Sequence, residues 1–187
     1  MNFSAVILAG GKSSRMGCDK AFLEMGGQTL LARQIQLVRN AGAEEVFISG
    51  RADADYSLFG CRVLQDKFPD TGPLAGIERA LDAISSPLLL VLAVDLPGMS
   101  ADWLRQLAAR CSENSGAVPR VKGNLEPLAA FYPKAALPLA VALLDENSCA
   151  VKHFAKRCAQ ARLVNFVDVA GDEARFFLNC NSPADLG

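Results

Sequence analysis

Three short apolar runs, each closed by a glycine or an aspartate, constrain this chain more than any other feature. "SAVILAG" spans Ser4–Gly10, "EEVFISG" ends at Gly50, and "PLLLVLAVD" runs from Pro87 to Asp95. Runs of this length without sustained polar alternation read as strands covered on both faces. "CRVLQD", Cys61–Asp66, adds a third strand in chain order. The segments between them carry a helical period instead. Gln28–Ala41 places Leu31, Ile35 and Val38 on one face and meets a stop signal at Gly42. Pro73 opens a second helix whose Leu74, Ile77, Leu81 and Ile84 recur at helical spacing. Ser100 reads as the N-cap of a third helix over Ala101–Cys111, with Asp102 in its first turn and Leu104, Leu107 and Cys111 inward. This alternation predicts an α/β fold: three layers, Rossmann-like, with a mostly parallel central sheet between helices.

After Arg120 the pattern loosens. "EPLAAFYP" reads as a strand, two helical stretches follow, and short strands are expected near Ala161–Val169 and Phe176–Asn179. No linker, repeat or low-complexity segment interrupts the 187 residues, so a single domain over 1–187 is expected. A net charge of −1 argues against nucleic-acid binding through a basic surface. The longest apolar run, Pro87–Val94, is broken by Asp95 and Pro97 and is too short for a bilayer, so no membrane role is expected. Asn2 leads straight into a strand-like segment rather than a secretion leader. Six cysteines lie scattered without a C-x-x-C pair, which fits free thiols and a cytoplasmic location.

In an open parallel sheet, ligands gather where strands end at their carboxyl edges. The loop "LAGGKSSRMGCDK", Leu8–Lys20, follows the first strand there. Gly10, Gly11 and Gly17 permit close backbone approach and aim N–H groups at an anion, while Arg15 and Lys20 add positive charge. The loop matches neither G-x-G-x-x-G nor G-x-x-x-x-G-K-[ST]. Asp95 stands at the end of the most buried strand, either capping a turn or serving as a Mg²⁺ ligand beside a polyphosphate. "DKFPDTGPLAG" supplies Asp66 after the third strand and a helix start at Gly72-Pro73 facing the same edge.

These residues resemble a family. The opening stretch fits L-A-G-G-x-S-x-R-M-G-x-D-K, the signature of molybdenum cofactor guanylyltransferases within the larger nucleotidyltransferase fold group. The resemblance continues in order through "GPLAGI", Asp95-Leu96-Pro97, "EPLAAFYP" and "FLNCNSPADL". It implies transfer of GMP from GTP to a molybdopterin-type cofactor, metal-free or loaded with molybdenum, giving the guanine dinucleotide form and pyrophosphate with Mg²⁺. It further implies that Leu8, Ala9, Gly10 and Gly11 contact the nucleotide, Arg15 and Lys20 the phosphates, and Asp66 the nucleoside end. Asp95 matches the metal ligand, and Asn179 and Asn181 match paired asparagines on the pterin side of the cleft. Arg15, Lys20 and Asp95 are thus the expected catalytic set. Molybdoenzymes or cofactor-delivery proteins are the partners implied downstream. Ser49 stands where the family often has asparagine, and Ser182 where threonine is more usual.

The residue types agree with that chemistry, because in-line phosphoryl transfer needs positioning and charge neutralisation rather than a covalent nucleophile. The sole histidine, His153, falls beside Lys152 on the polar side of a helix whose buried stripe is Val151, Phe154, Ala155 and Cys158. Trp103 reads as a packing residue, Cys18 as an incidental thiol in the loop, and Lys12 faces either phosphate or solvent. The rival readings are a cytidylyltransferase acting on the same pterin and a non-catalytic nucleotide-binding accessory protein.

Overall fold

The computed structural model describes residues 1–10, 20–65 and 72–180. In chain order the strands are β1 (Phe3–Leu8), β2 (Glu24–Met25), β3 (Gln28–Thr29), β4 (Val46–Ser49), β5 (Arg62–Leu64), β6 (Leu88–Ala93), β7 (Gly116–Val121), β8 (Asn124–Leu125), β9 (Ala129–Pro133) and β10 (Val164–Asp168). The helices are α1 (Leu30–Ala41), α2 (Pro73–Ala83), α3 (Ala101–Ala108), α4 (Leu137–Asp145) and α5 (Val151–Gln160). The main sheet runs β10-β7-β9-β6-β1-β4-β5, with β8 paired to β7, and β2-β3 form a separate hairpin. Pairs β1–β4, β1–β6, β4–β5 and β7–β10 are parallel, whereas β9 runs antiparallel to both β6 and β7.

Alternation along the central strands builds two cores from one sheet. Phe3, Ala5 and Ile7 of β1 join Leu88, Leu90 and Leu92 of β6 on the face covered by α1 and α3. Val6 and Leu8 join Leu89 and Val91 on the opposite face, under α2, α4 and α5. All six residues of β1 and of β6 are buried, which accounts for their apolar character; the one polar residue, Ser4, pairs its hydroxyl with that of Ser86. The expected three-layer α/β arrangement is the one observed.

Local signals explain the element ends. The first helix starts at Leu30 rather than Gln28, because Gln28–Thr29 pairs with Glu24–Met25 and the Thr29 hydroxyl accepts from the Ala32 N–H. Gly42 closes that helix in the left-handed region, with φ of 105°. Ser100 caps α3 through the Trp103 N–H, but the helix ends at Ala108, so Cys111 lies beyond it. Two differences concern the second half. Gly116–Val121 forms a strand although Gly116 and Pro119 read against one. Phe176–Asn179 is not a strand; Glu173–Phe177 forms a 3-10 turn. Extended backbone would send Phe176 and Phe177 to opposite faces, whereas the turn brings both rings against Trp103, at 6.5 and 5.0 Å.

Close backbone approach decides the joint between β7 and β9. A Cβ at Gly116 would lie 2.0 Å from the Phe131 carbonyl oxygen and 2.7 Å from its carbon. Neither atom can rotate away. Gly116→Ala should therefore cost about 3 kcal/mol or more of stability, as overpacking against rigid neighbours does. For a domain of this size that is a fall in Tm on the order of 6–12 °C in thermal denaturation. An alanine variant melting within about 2 °C of the parent would contradict this account of the joint.

Candidate active site

Strands β1, β4, β5, β6 and β7 all deliver their carboxyl ends to one edge of the sheet, and the candidate residues collect there. At the end of β1, the Ala9 and Gly10 N–H groups both donate to the Ser49 carbonyl, at 2.8 and 3.0 Å, and the Leu8 carbonyl accepts from Val94. Leu8 and Ala9 are buried. These backbone groups tie β1 to β4 and β6, so the Ala9 and Gly10 N–H groups are already committed within the sheet edge. Gly11, Lys12, Arg15, Gly17 and Cys18 lie outside the described residues, as do Asp66, Asn181 and Ser182.

Ser49 is buried, and its side chain lies under α2. A Cβ at Gly76 would sit 2.3 Å from the Ser49 hydroxyl and 3.1 Å from a Leu8 methyl. The glycine of "GPLAGI" thus lets α2 settle onto the ends of β1 and β4. Ser49 acts here through its carbonyl, which anchors the start of the opening loop.

Lys20 begins the 3-10 turn that follows that loop. Its Nζ lies 3.3 Å from Asp95 Oδ2 and donates to the Cys180 carbonyl at 3.0 Å. The Cys180 N–H donates back to the Asp95 carbonyl at 2.9 Å. Three regions remote in sequence are joined at one point. Both charged side chains keep about a quarter of their surface exposed, 22% for Lys20 and 25% for Asp95, so they face the edge without leaving solvent.

The turn carrying Asp95 is braced from α1. Gln34, 1% exposed, donates through Nε2 to the Leu96 carbonyl at 2.7 Å, and Arg33 reaches the Pro97 carbonyl at 3.4 Å. Gln34 was not singled out from sequence, although a glutamine next to Ile35 inside an apolar stripe is a readable signal. The Cys180 carbonyl left no such signal, since any residue could supply it.

Beside Asp95 opens a cleft of about 530 Å³. Asp95 and Leu96 form one wall, Glu126 to Leu128 another, and Ala150 to Lys152 with Asn179 the rest. Asn179 therefore lines the same cleft as Asp95. Burial pushes the Glu126 carboxyl above the usual range, with the Lys152 ammonium pulling partly back. His153 is exposed and pairs its Nδ1 with the Ser148 hydroxyl at 2.9 Å. Trp103 is buried as a packing residue. Among the described residues no three His, Cys, Asp or Glu side chains gather to hold a metal. Asp95 and Asn179 line the cleft, while the Asp95 carboxylate and the Cys180 carbonyl share the Lys20 ammonium.

The chain is similar to known proteins. The family model described as "MobA-like NTP transferase domain" matches residues 5–162. A probable molybdenum cofactor guanylyltransferase of Opitutus terrae is 38% identical, over 97% of this chain and 92% of its own length. Another from Carboxydothermus hydrogenoformans is 33% identical over 98% and 93%. Among solved structures, the molybdopterin-guanine dinucleotide biosynthesis protein A of Archaeoglobus fulgidus superposes with a TM-score of 0.76 at 22% identity, covering 98% of this chain and 94% of that one. By the span of the model and the identity of these relatives, the chain belongs to the MobA-like NTP transferase family.

Proposed function

We propose that the protein transfers GMP from GTP to molybdopterin, with or without bound molybdenum, releasing pyrophosphate. The observation that carries this reading is the junction of Lys20, Asp95 and the Cys180 carbonyl at the carboxyl edge of the sheet. A terminal phosphate oxygen of the acceptor attacks the α-phosphorus of GTP, and the bond from that phosphorus to the bridging oxygen breaks. The acceptor phosphate, whose second pKa is about 6, already carries the electron pair it needs at neutral pH. No general base is required, in keeping with a lone histidine on an exposed helix face. The Lys20 ammonium neutralises charge on the phosphates as they reorganise, and Asp95 holds that ammonium in place. Arg15 and the Gly11 backbone supply further phosphate contacts in this reading, Asp66 the nucleoside contact, and Asn181 joins Asn179 on the acceptor side.

Mg²⁺ is the cofactor of this reading: Asp95 and the substrate phosphates would hold it, and it would offset the triphosphate's negative charge. The site fits it through oxygen donors alone. The reaction belongs in the cytoplasm, with molybdoenzymes or cofactor-delivery proteins receiving the product. No helix among the described residues is long and apolar enough to cross a membrane.

The direct test supplies molybdopterin, Mg²⁺ and equimolar GTP and CTP, and follows pyrophosphate release and product mass. The guanine dinucleotide should dominate. A cytosine dinucleotide would overturn the base assignment, and nucleotide binding without any product would make the protein a binding accessory.

Asp95→Asn retains the shape of the turn residue and removes its charge. Turnover should fall by at least about a hundredfold, with a raised Mg²⁺ requirement. Stability should change by no more than about 1 kcal/mol, since the lost ion pair is partly exposed. Unchanged turnover and metal dependence would reduce Asp95 to a turn residue.

A further inference from the structure

The cleft beside Asp95 contains a second carboxylate that the transfer step does not use. Glu126 begins the β8–β9 connection with its backbone fixed: its N–H donates to the Pro119 carbonyl at 2.9 Å and its carbonyl accepts from Ala129 at 3.2 Å. Its side chain is half-buried, and no hydrogen bond or ion pair reaches that carboxylate from another described residue. The Lys152 ammonium, lining the same cleft, offsets part of that burial. A carboxylic acid held above its unfolded pKa loses stability as pH rises through that interval, so ionised Glu126 weakens the fold at neutral pH. A half-desolvated carboxylate facing the cleft gains most when a ligand brings paired N–H donors to it.

We infer that Glu126 recognises the 2-amino-4-oxopyrimidine edge of the acceptor's pterin ring, accepting one hydrogen bond from the 2-amino group and one from the adjacent ring N–H. This rests on the transfer reaction proposed above. Two parallel N–H groups facing one carboxylate make the same fork as a guanidinium against a carboxylate. Pro127 and Leu128 continue the wall from Glu126, giving a flat ring an apolar surface. Guanine carries the same edge, so position must decide between the two substrates. Asp95 follows β6; β1, β4 and β5 lie on one side of it, β9 and β7 on the other. The opening loop follows β1, whereas Glu126 precedes β9. In-line displacement brings attacking and leaving oxygens to phosphorus from opposite sides. Glu126 is therefore on the side opposite the triphosphate loop, where the attacking molecule lies.

The test measures binding of fluorescent 6-hydroxymethylpterin monophosphate and of the corresponding lumazine, which has oxygen in place of the 2-amino group. Both are titrated with and without an α,β-methylene GTP analogue, on the parent protein, Glu126→Gln and Glu126→Ala. The parent should prefer the pterin by at least about tenfold, as a charge-assisted pair of hydrogen bonds warrants. Both variants should lose that preference to within about twofold, while GTP binding stays unchanged and Glu126→Gln melts at or above the parent at pH 7. Equal affinity of the parent for both rings, or a preference that survives in both variants, overturns the inference. So does a loss in the variants of preference for GTP over ITP, which lacks the 2-amino group; Glu126 would then read the nucleotide base. A parent that forms no dinucleotide yet shows a Glu126-dependent pterin preference contradicts the transfer reaction and supports the ring contact.

Discussion

The contact between Lys20 and Asp95, shared with the Cys180 carbonyl, is the point on which the rest of the structure converges. Lys20 follows the opening loop, Asp95 ends the most buried strand, and Cys180 belongs to the tail. None can reach the others until β1 and β6 have paired in parallel and the tail has crossed the carboxyl edge. The aromatic contacts of Trp103 with Phe176 and Phe177 hold that tail a few residues before Cys180. The junction is thus an output of the whole fold. An ammonium fixed before substrate arrives needs little reorganisation during the reaction, which is the condition under which electrostatic stabilisation is strong.

Around this junction the chain retains polar groups that burial disfavours. Gln34 is almost fully buried, with Nε2 bonded to Leu96 and Oε1 unpartnered among the described residues. An apolar residue there would spare an orphaned acceptor but would release the turn carrying Asp95. Glu126 is the second case, a carboxylate made harder to ionise by its surroundings. Both lie near Asp95, in keeping with a site whose local costs are offset by cores elsewhere.

Most of the sheet was readable in the sequence because β1 and β6 are buried on both faces and are apolar throughout except for Ser4. Helix boundaries followed where a recognised cap stood at the end, as Gly42 and Ser100 show, but not at Thr29, where the β3 pairing delays the start of α1 to Leu30. Reading failed where tertiary contacts override local pattern. Gly116 and Pro119 argue against a strand, yet β7 forms because its glycine admits the Phe131 carbonyl. Phe176-Phe177 looked extended, yet both rings turn toward one tryptophan. In the site, the motif marked Lys20 and Asp95, and the structure places them in contact. The Gly10 N–H looked free for an anion but, like that of Ala9, donates to the Ser49 carbonyl, a pairing that only the sheet register reveals. Glu126 sat inside a recognised strand motif, and nothing local showed that its side chain would enter the cleft.

The most direct test of the central claim is a double-mutant cycle on the transfer rate at saturating GTP, comparing Lys20→Ala, Asp95→Asn and the double variant with the parent. If the two groups act as one unit, the losses will not add, and the coupling energy should reach at least about 1 kcal/mol. Additive losses would mean that the contact between Lys20 and Asp95 is incidental to catalysis, and the account of the site built on it would be wrong.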